Sequence, residues 1–244
     1  MIAAIRSEIR KLLSLRSTYI IFGLSLLFVM LMDGVVTGYN HVHLDDTFVN
    51  WLITSTLQGT SFILGLIVLL QVTHEYRYNT IAYTLTLARR RTSVFLAKAL
   101  VSSLAVLIGA VLFVATGVAS GLIGLAASGA SLPEQSILWG DILPKGSVYV
   151  WGAGMYALII GFLLRNQVGA IVMYLFGTAI VEQLLSLLLK DSSGYLPFRA
   201  LENSLLTGDI ATTFTPEKSM AIVFGWIVAA GATAWLLFMR RDAN

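Results

Sequence analysis

Few residues in this chain have side chains and spacings suited to chemistry, and most of them fall in one stretch. Thr73-His74-Glu75-Tyr76-Arg77-Tyr78-Asn79-Thr80 is followed by an apolar run, Ile81 to Leu87, then by Ala88-Arg89-Arg90-Arg91, with Lys98 at the opening of the next apolar sequence. An acid two residues from a base, flanked by aromatic rings and followed by an arginine cluster, suits ion pairing and docking rather than bond making. A second candidate is His41-Val42-His43-Leu44-Asp45-Asp46, where imidazoles and carboxylates stand close together. In an extended segment His41 and His43 point the same way, as metal ligands would need. A polar loop tip beside a membrane carries such residues anyway, and we expect no metal there. The third group is polar side chains inside apolar sequence: Asp33, Gln58, Thr178 and Glu182. No His-Glu-x-x-His pattern occurs, and the histidines fall at the edges of the apolar runs or beyond. An enzyme, which would need a convergent catalytic set, is therefore not expected.

Composition places all of these residues in or beside lipid. Of the residues, 57% are apolar and only 12% are charged, where soluble domains carry about 25% charged residues. At 244 residues the length is that of one domain. There is no cysteine, so neither a disulfide framework nor a thiolate metal site is available. The net charge of +3 does not indicate nucleic acid, because the basic residues follow the membrane.

The elements that must position these residues are helices. In Met1–Arg16, Ile2, Ile5, Ile9, Leu12 and Leu13 recur at helical spacing with Arg6, Glu8, Arg10 and Lys11 mostly between them. That pattern suits an amphipathic helix lying in the membrane interface. A signal peptide fits less well, since the apolar run that follows is too long and lacks a small-x-small cleavage site. Six apolar spans follow: Thr18–Gly38, Leu52–Gln71, Phe95–Leu125, Ser147–Leu164, Val168–Leu189 and Met220–Met239. Each reaches roughly the 17–25 residues needed to cross the hydrocarbon. With both termini cytosolic, the inner segments hold Arg6, Arg10, Lys11, Arg16, Arg77, Arg89, Arg90, Arg91, Lys98, Arg165, Arg240 and Arg241. The outer segments then hold only Lys145, Lys190, Arg199 and Lys218, the asymmetry the positive-inside rule requires. The chain thus reads as an all-α integral membrane protein. An interfacial helix covers 1–17, six transmembrane helices cover 18–239, and a cytosolic tail covers 240–244. An inner loop spans 73–94, and an outer segment at 190–219 is expected to dip back towards the bilayer.

Within the spans, polar and small residues form stripes. Thr54, Gln58, Ser61 and Gly65 share a face, as do Tyr174, Thr178, Glu182 and Ser186, and Gly117, Gly121 and Gly124 form a close-approach pattern. Helix packing is the ordinary use of such stripes. An intramembrane acid, however, is a functional candidate by default. Asp33, Gln58 and Glu182 fall at similar outer depths, where they either line a polar vestibule with Thr178 or act as structural glue.

The stretch Glu75-x-Arg77-x-x-Thr80, the apolar turns after it, the arginine cluster and Lys98 resemble the permeases of ABC-2 type exporters. That family carries Glu-x-Arg-x-Gly-Thr at the cytosolic end of span two, and often a Pro and an Arg before span three. Ser7-Glu8-Ile9-Arg10-Lys11-Leu12 is similar to the family's opening interfacial helix, and the six-span plan extends the likeness over nearly the full length. Asn79 stands where Gly is usual and Ala88 where Pro is common. Asn tolerates left-handed backbone better than most residues, so the turn can survive.

The resemblance implies a permease half in a bacterial or archaeal plasma membrane. It would pair with a second half, identical or homologous, and with two cytosolic ATPase subunits. No Gly-rich loop ending in Gly-Lys-Ser/Thr is present, so ATP and Mg would be bound by the partner, and no cofactor is expected in this chain. The implied coupling segment is Glu75–Leu87. Glu75 and Arg77 would anchor it, Asn79 and Thr80 would form its turn, and Tyr76, Tyr78, Ile81 and Leu85 would pack on the ATPase or the interfacial helix. An ion-coupled secondary transporter leaning on Glu182, or a non-transporting sensor subunit, are the other readings. No signature of the substrate is legible.

Overall fold

In a computed structural model the chain is described over residues 1–39, 47–87, 90–130, 137–205 and 214–240, and no strand occurs among them. The helices are α1 (Ile2–Ser14), α2 (Arg16–Tyr39), α3 (Phe48–Arg77), α4 (Thr80–Leu87), α5 (Arg91–Ala127), α6 (Trp139–Leu164), α7 (Gln167–Phe176), α8 (Glu182–Leu189), α9 (Pro197–Leu205) and α10 (Pro216–Arg240). A π-helical turn, Gly177–Val181, joins α7 to α8, and a 3-10 segment, Lys190–Tyr195, follows α8. Six helical stretches are long and apolar enough to cross a membrane: α2, α3, α5, α6, the run Gln167–Tyr195, and α10.

The bundle is built around α3 and α6, which pack on each other more extensively than any other pair. In their most apolar stretches they are 61% and 67% buried, against 11% for α2 and 17% for both Gln167–Tyr195 and α10, which makes the latter three peripheral. Lipid tails are as apolar as leucine, so close packing rather than exclusion of water must hold such helices together. Small residues supply it. Methyl groups placed on Gly117, Gly121 and Gly124 of α5 would strike Asp33 and Thr56, Leu52, and the Gly34 carbonyl respectively, so the expected glycine stripe is where α2 and α3 seat. Aromatic rings close the opposite side: Phe95, Phe162 and Phe238 join α5, α6 and α10 with centroids 4.8–6.0 Å apart, spacings at which ring pairs attract.

Two boundaries differ from those expected. The inner polar stretch is mostly helix, because α3 continues through Thr73–Arg77 and Lys98 lies two turns inside α5. α6 begins at Trp139 rather than Ser147. Asp141, Pro144 and Lys145 depress local hydropathy there, yet Lys145 Nζ lies 3.2 Å from Asp141 Oδ1 one turn away, and Pro144 forfeits only a single ladder bond. In the segment 190–219, expected to dip back towards the bilayer, α9 buries Ala200, Leu201, Ser204 and Leu205 against α6 and α10; residues 206–213 lie outside the described residues.

In α1, Ile2, Ile9 and Leu13 are exposed while Glu8 is buried, so the edge that carries Glu8 and Lys11 is turned to the bundle, with Arg6 and Arg10 outward beside the exposed apolar residues. That arrangement suits a helix whose apolar face meets acyl chains.

Candidate functional site

The edge of α1 that carries Glu8 and Lys11 meets the ends of α3 and α5 in a cluster of four charges. Lys98 is wholly buried, and its Nζ donates to Glu8 Oε2 at 2.6 Å and to Glu75 Oε1 at 2.5 Å. Lys11 Nζ donates to Glu8 Oε1 at 2.7 Å, to Glu75 Oε1 at 2.9 Å and to Thr84 Oγ1 at 3.0 Å. Two acids and two lysines sum to zero charge, the condition under which buried ions persist in a medium of low dielectric. Lys11 is only partly buried: desolvation pulls its pKa down, but Glu75 and Glu8 more than offset this and the net shift is upward. The cluster thereby ties four elements, α1, α3, α4 and α5, at one end of the bundle.

The turn that sets α4 beside this cluster is made by Tyr78 and Asn79. Asn79 has φ 53°, the left-handed conformation its side chain tolerates. Its N–H donates to the Tyr76 carbonyl at 3.3 Å, and Tyr78 N–H to the His74 carbonyl at 3.0 Å, which closes the α3 terminus. Thr80 Oγ1 reaches the Glu75 carbonyl at 3.5 Å. Beyond the turn the residues of α4 divide by face. Ile81 is buried and Leu85 packs on the same core, while Tyr83 is 73% exposed and Tyr78, in the turn before it, is 62% exposed. A cavity of about 600 Å³ opens between α1, α4 and the start of α5, with Ser7, Glu8, Lys11, Tyr83 and Thr84 on its walls.

Arg77 stands apart from the cluster. Its Nη1 donates to Gln167 Oε1 at 3.0 Å, and its guanidinium lies 5.4 Å from the Tyr78 ring centre. Neighbouring arginines fasten the same end to α10: Arg165 Nη2 donates to the Leu237 carbonyl at 3.3 Å and its guanidinium lies over the Tyr76 ring, while Arg91 Nη1 donates to the Met239 carbonyl at 3.2 Å. Cations at the C-terminal carbonyls of a helix are favoured by its dipole. Glu8, Lys11, Lys98 and Thr84 were not singled out as site residues from sequence. The available signals were Glu8 and Lys11 three apart on one face, and a lysine embedded in apolar sequence.

The intramembrane candidates are dispersed. Asp33 accepts from Thr56 Oγ1 at 2.9 Å, between α2 and α3. Glu182 accepts from the Phe198 N–H at 3.0 Å and the Arg199 N–H at 3.1 Å, capping the first turn of α9. Gln58 and Thr178 are brought together on the wall of a cavity of about 280 Å³ between α3, α6, the π-helical turn and α9. His41, His43, Asp45 and Asp46 lie outside the described residues, as does Arg89. Among the described residues no group of three or more His, Asp or Glu is placed to hold a metal.

No curated protein matches the chain. Compared with known protein families, it matches ABC-2 family transporter protein over residues 4–181, a stretch that begins in α1, runs through α7 and the π-helical turn, and contains all four residues of the charge cluster. With most of its length in that match and six helices able to span a bilayer, this multi-pass integral membrane protein belongs to the ABC-2 family of transporters.

Proposed function

We propose that the chain is the permease subunit of an ABC-2 type exporter, forming the transmembrane pathway and driven by separate ATPase subunits. Both termini and the α1–α4 face are then cytosolic, in a bacterial or archaeal plasma membrane. Two ATPase subunits, which bind ATP and Mg, serve two permease halves, identical or homologous. The observation that carries this reading is the buried four-charge cluster. Thr84 on α4 bonds to Lys11, and Ile81 and Leu85 pack inward, so a load applied to α4 is transmitted at once to α1, α3 and α5. In this reading Tyr78 and Tyr83 meet the ATPase, Tyr76 packs under Arg165, and Glu75 and Arg77 hold the segment to the bundle. Gln58 and Thr178 border the pathway, with Asp33 and Glu182 holding its helices in register.

The test is co-purification of this chain with an ATP-binding-cassette subunit, followed by ATP turnover in reconstituted vesicles. Truncating an exposed aromatic anchor at an interface costs about 2 kcal/mol, so Tyr83→Ala is expected to weaken ATPase capture by about thirtyfold while insertion and thermal stability stay unchanged. Unaltered capture in both Tyr78→Ala and Tyr83→Ala removes α4 from the coupling role.

A further inference from the structure

The cavity that holds Gln58 and Thr178 has a chemical character of its own. Its walls are aromatic: Phe62 stacks on Tyr174 with ring centres 4.8 Å apart, and Phe198 stands edge-on to Tyr174 at 6.0 Å. Among the described residues that line it, none is a lysine or arginine, and the one ionic side chain is Glu202, 56% exposed at the rim. Arg199 pairs with Glu202 at 3.1 Å but is not part of the wall; its other nitrogen is held by Gln183 Oε1 at 2.6 Å on α8. Gln58 and Ser61 of α3 and Tyr149 and Ala153 of α6 complete the lining, with Thr178 and Ala179 carried by the π-helical turn Gly177–Val181, a kind of wide turn frequent at functional sites.

These features select by charge. The faces of aromatic rings are negative and attract a cation within about 6 Å of the ring centre, most strongly when the cation is weakly hydrated. An anion entering the same space meets no cationic side chain on the wall, and at the rim a carboxylate that is paired with Arg199. At about 280 Å³ the cavity is close to the lower bound for small-molecule sites. We propose that it binds a small organic cation, an alkyl- or arylammonium ion, seated against Phe62 and Phe198 with Glu202 at the entrance. That such an ion is cargo rests on the exporter reading above; the binding does not.

The experiment uses the full chain in lipid nanodiscs without any ATPase, with empty nanodiscs as reference. Calorimetric titration compares benzyltrimethylammonium with its neutral isostere neopentylbenzene and with the anion phenylacetate. The cation is expected to bind about tenfold or more tightly than the isostere, the difference a desolvated cation–aromatic contact supplies, and the anion more weakly than both. Glu202→Gln, at an exposed position, should narrow the gap between cation and isostere severalfold, and Phe62→Leu should weaken the cation more than the isostere. Equal binding of cation and isostere, preference for the anion, or no binding of the cation overturns the proposal. Because no nucleotide or partner is present, failure here leaves the ATPase-coupled reading standing, and failure of ATPase co-purification leaves the cavity standing.

Discussion

At Lys98 a full positive charge is held with no exposure to solvent, tolerated because Glu8 and Glu75 both accept from it. Removing it while leaving the two acids exposes the full desolvation cost of the pair. Lys98→Met is therefore expected to destabilise the chain by about 3–5 kcal/mol, read as a lowered thermal midpoint in detergent. A midpoint equal to wild type would mean the cluster is not buried. Lys11 gives a pH signature. Its folded-state pKa lies above the ordinary value of 10.5, so its contribution is in place below that pH and fades only as pH rises through the raised value. Lys11→Met should abolish that part of the alkaline loss, and a loss confined to acid pH would contradict the assignment. At Asn79 the left-handed backbone sets the ranking of substitutions: a β-branched residue costs about 1–2 kcal/mol there, whereas Asn79→Gly relieves the strain and should preserve stability.

Among the elements, α9 depends on its neighbour's side chain as much as on its own sequence. Its first-turn amides end on the Glu182 carboxylate, which lies in the preceding span. Hydrogen bonds to a charged acceptor contribute about 1.5–3 kcal/mol. Glu182→Gln is expected to keep export while hydrogen exchange across Pro197–Leu205 accelerates by one to two orders of magnitude, as that loss implies. Export abolished with α9 still protected would instead make Glu182 part of the pathway. The α2–α5 contact behaves in the opposite way, since it needs the absence of a side chain. Gly124→Ala would force a methyl group into the Gly34 carbonyl and separate the helices, an overpacking cost of about 1–3 kcal/mol.

For the molecule as a whole, less than one-fifth of the most apolar stretch of α2, of Gln167–Tyr195 and of α10 is buried within the chain. A smaller second core, Leu69, Ala157, Ala170 and Tyr174, fastens Gln167–Tyr195 to α3 and α6, and the apolar residues left exposed on these helices suit contact with acyl chains. The chain therefore has its most buried helices, α3 and α6, in the centre and the less buried ones outside. The charge cluster lies at the end of that central pair where α4 emerges. Cross-linking Tyr83Cys to an ATPase subunit should succeed in the assembled transporter, while a cysteine at the buried Ile81 should not react; equal labelling would mean α4 is turned the other way.

How much of this was legible beforehand differs by residue. Apolar runs separated by charges determined six spans, because no chain can leave its backbone unpaired in hydrocarbon, and Asn79 in place of Gly marked a left-handed turn that the backbone adopts. The same sequence marked Glu75 and Arg77 as anchors without naming their partners, and the fold gives Glu75 two lysines and Arg77 Gln167. Rise per residue predicts similar depths for Asp33, Gln58 and Glu182, and the structure gives each a different neighbour. Local periodicity settles which residues lie in a helix and at what height, because those follow from rise per residue and transfer free energy. The rotation of each helix about its axis, and therefore which charges meet, is set by contacts between residues dozens of positions apart, such as Glu8 with Lys98, and only the packed bundle decides that.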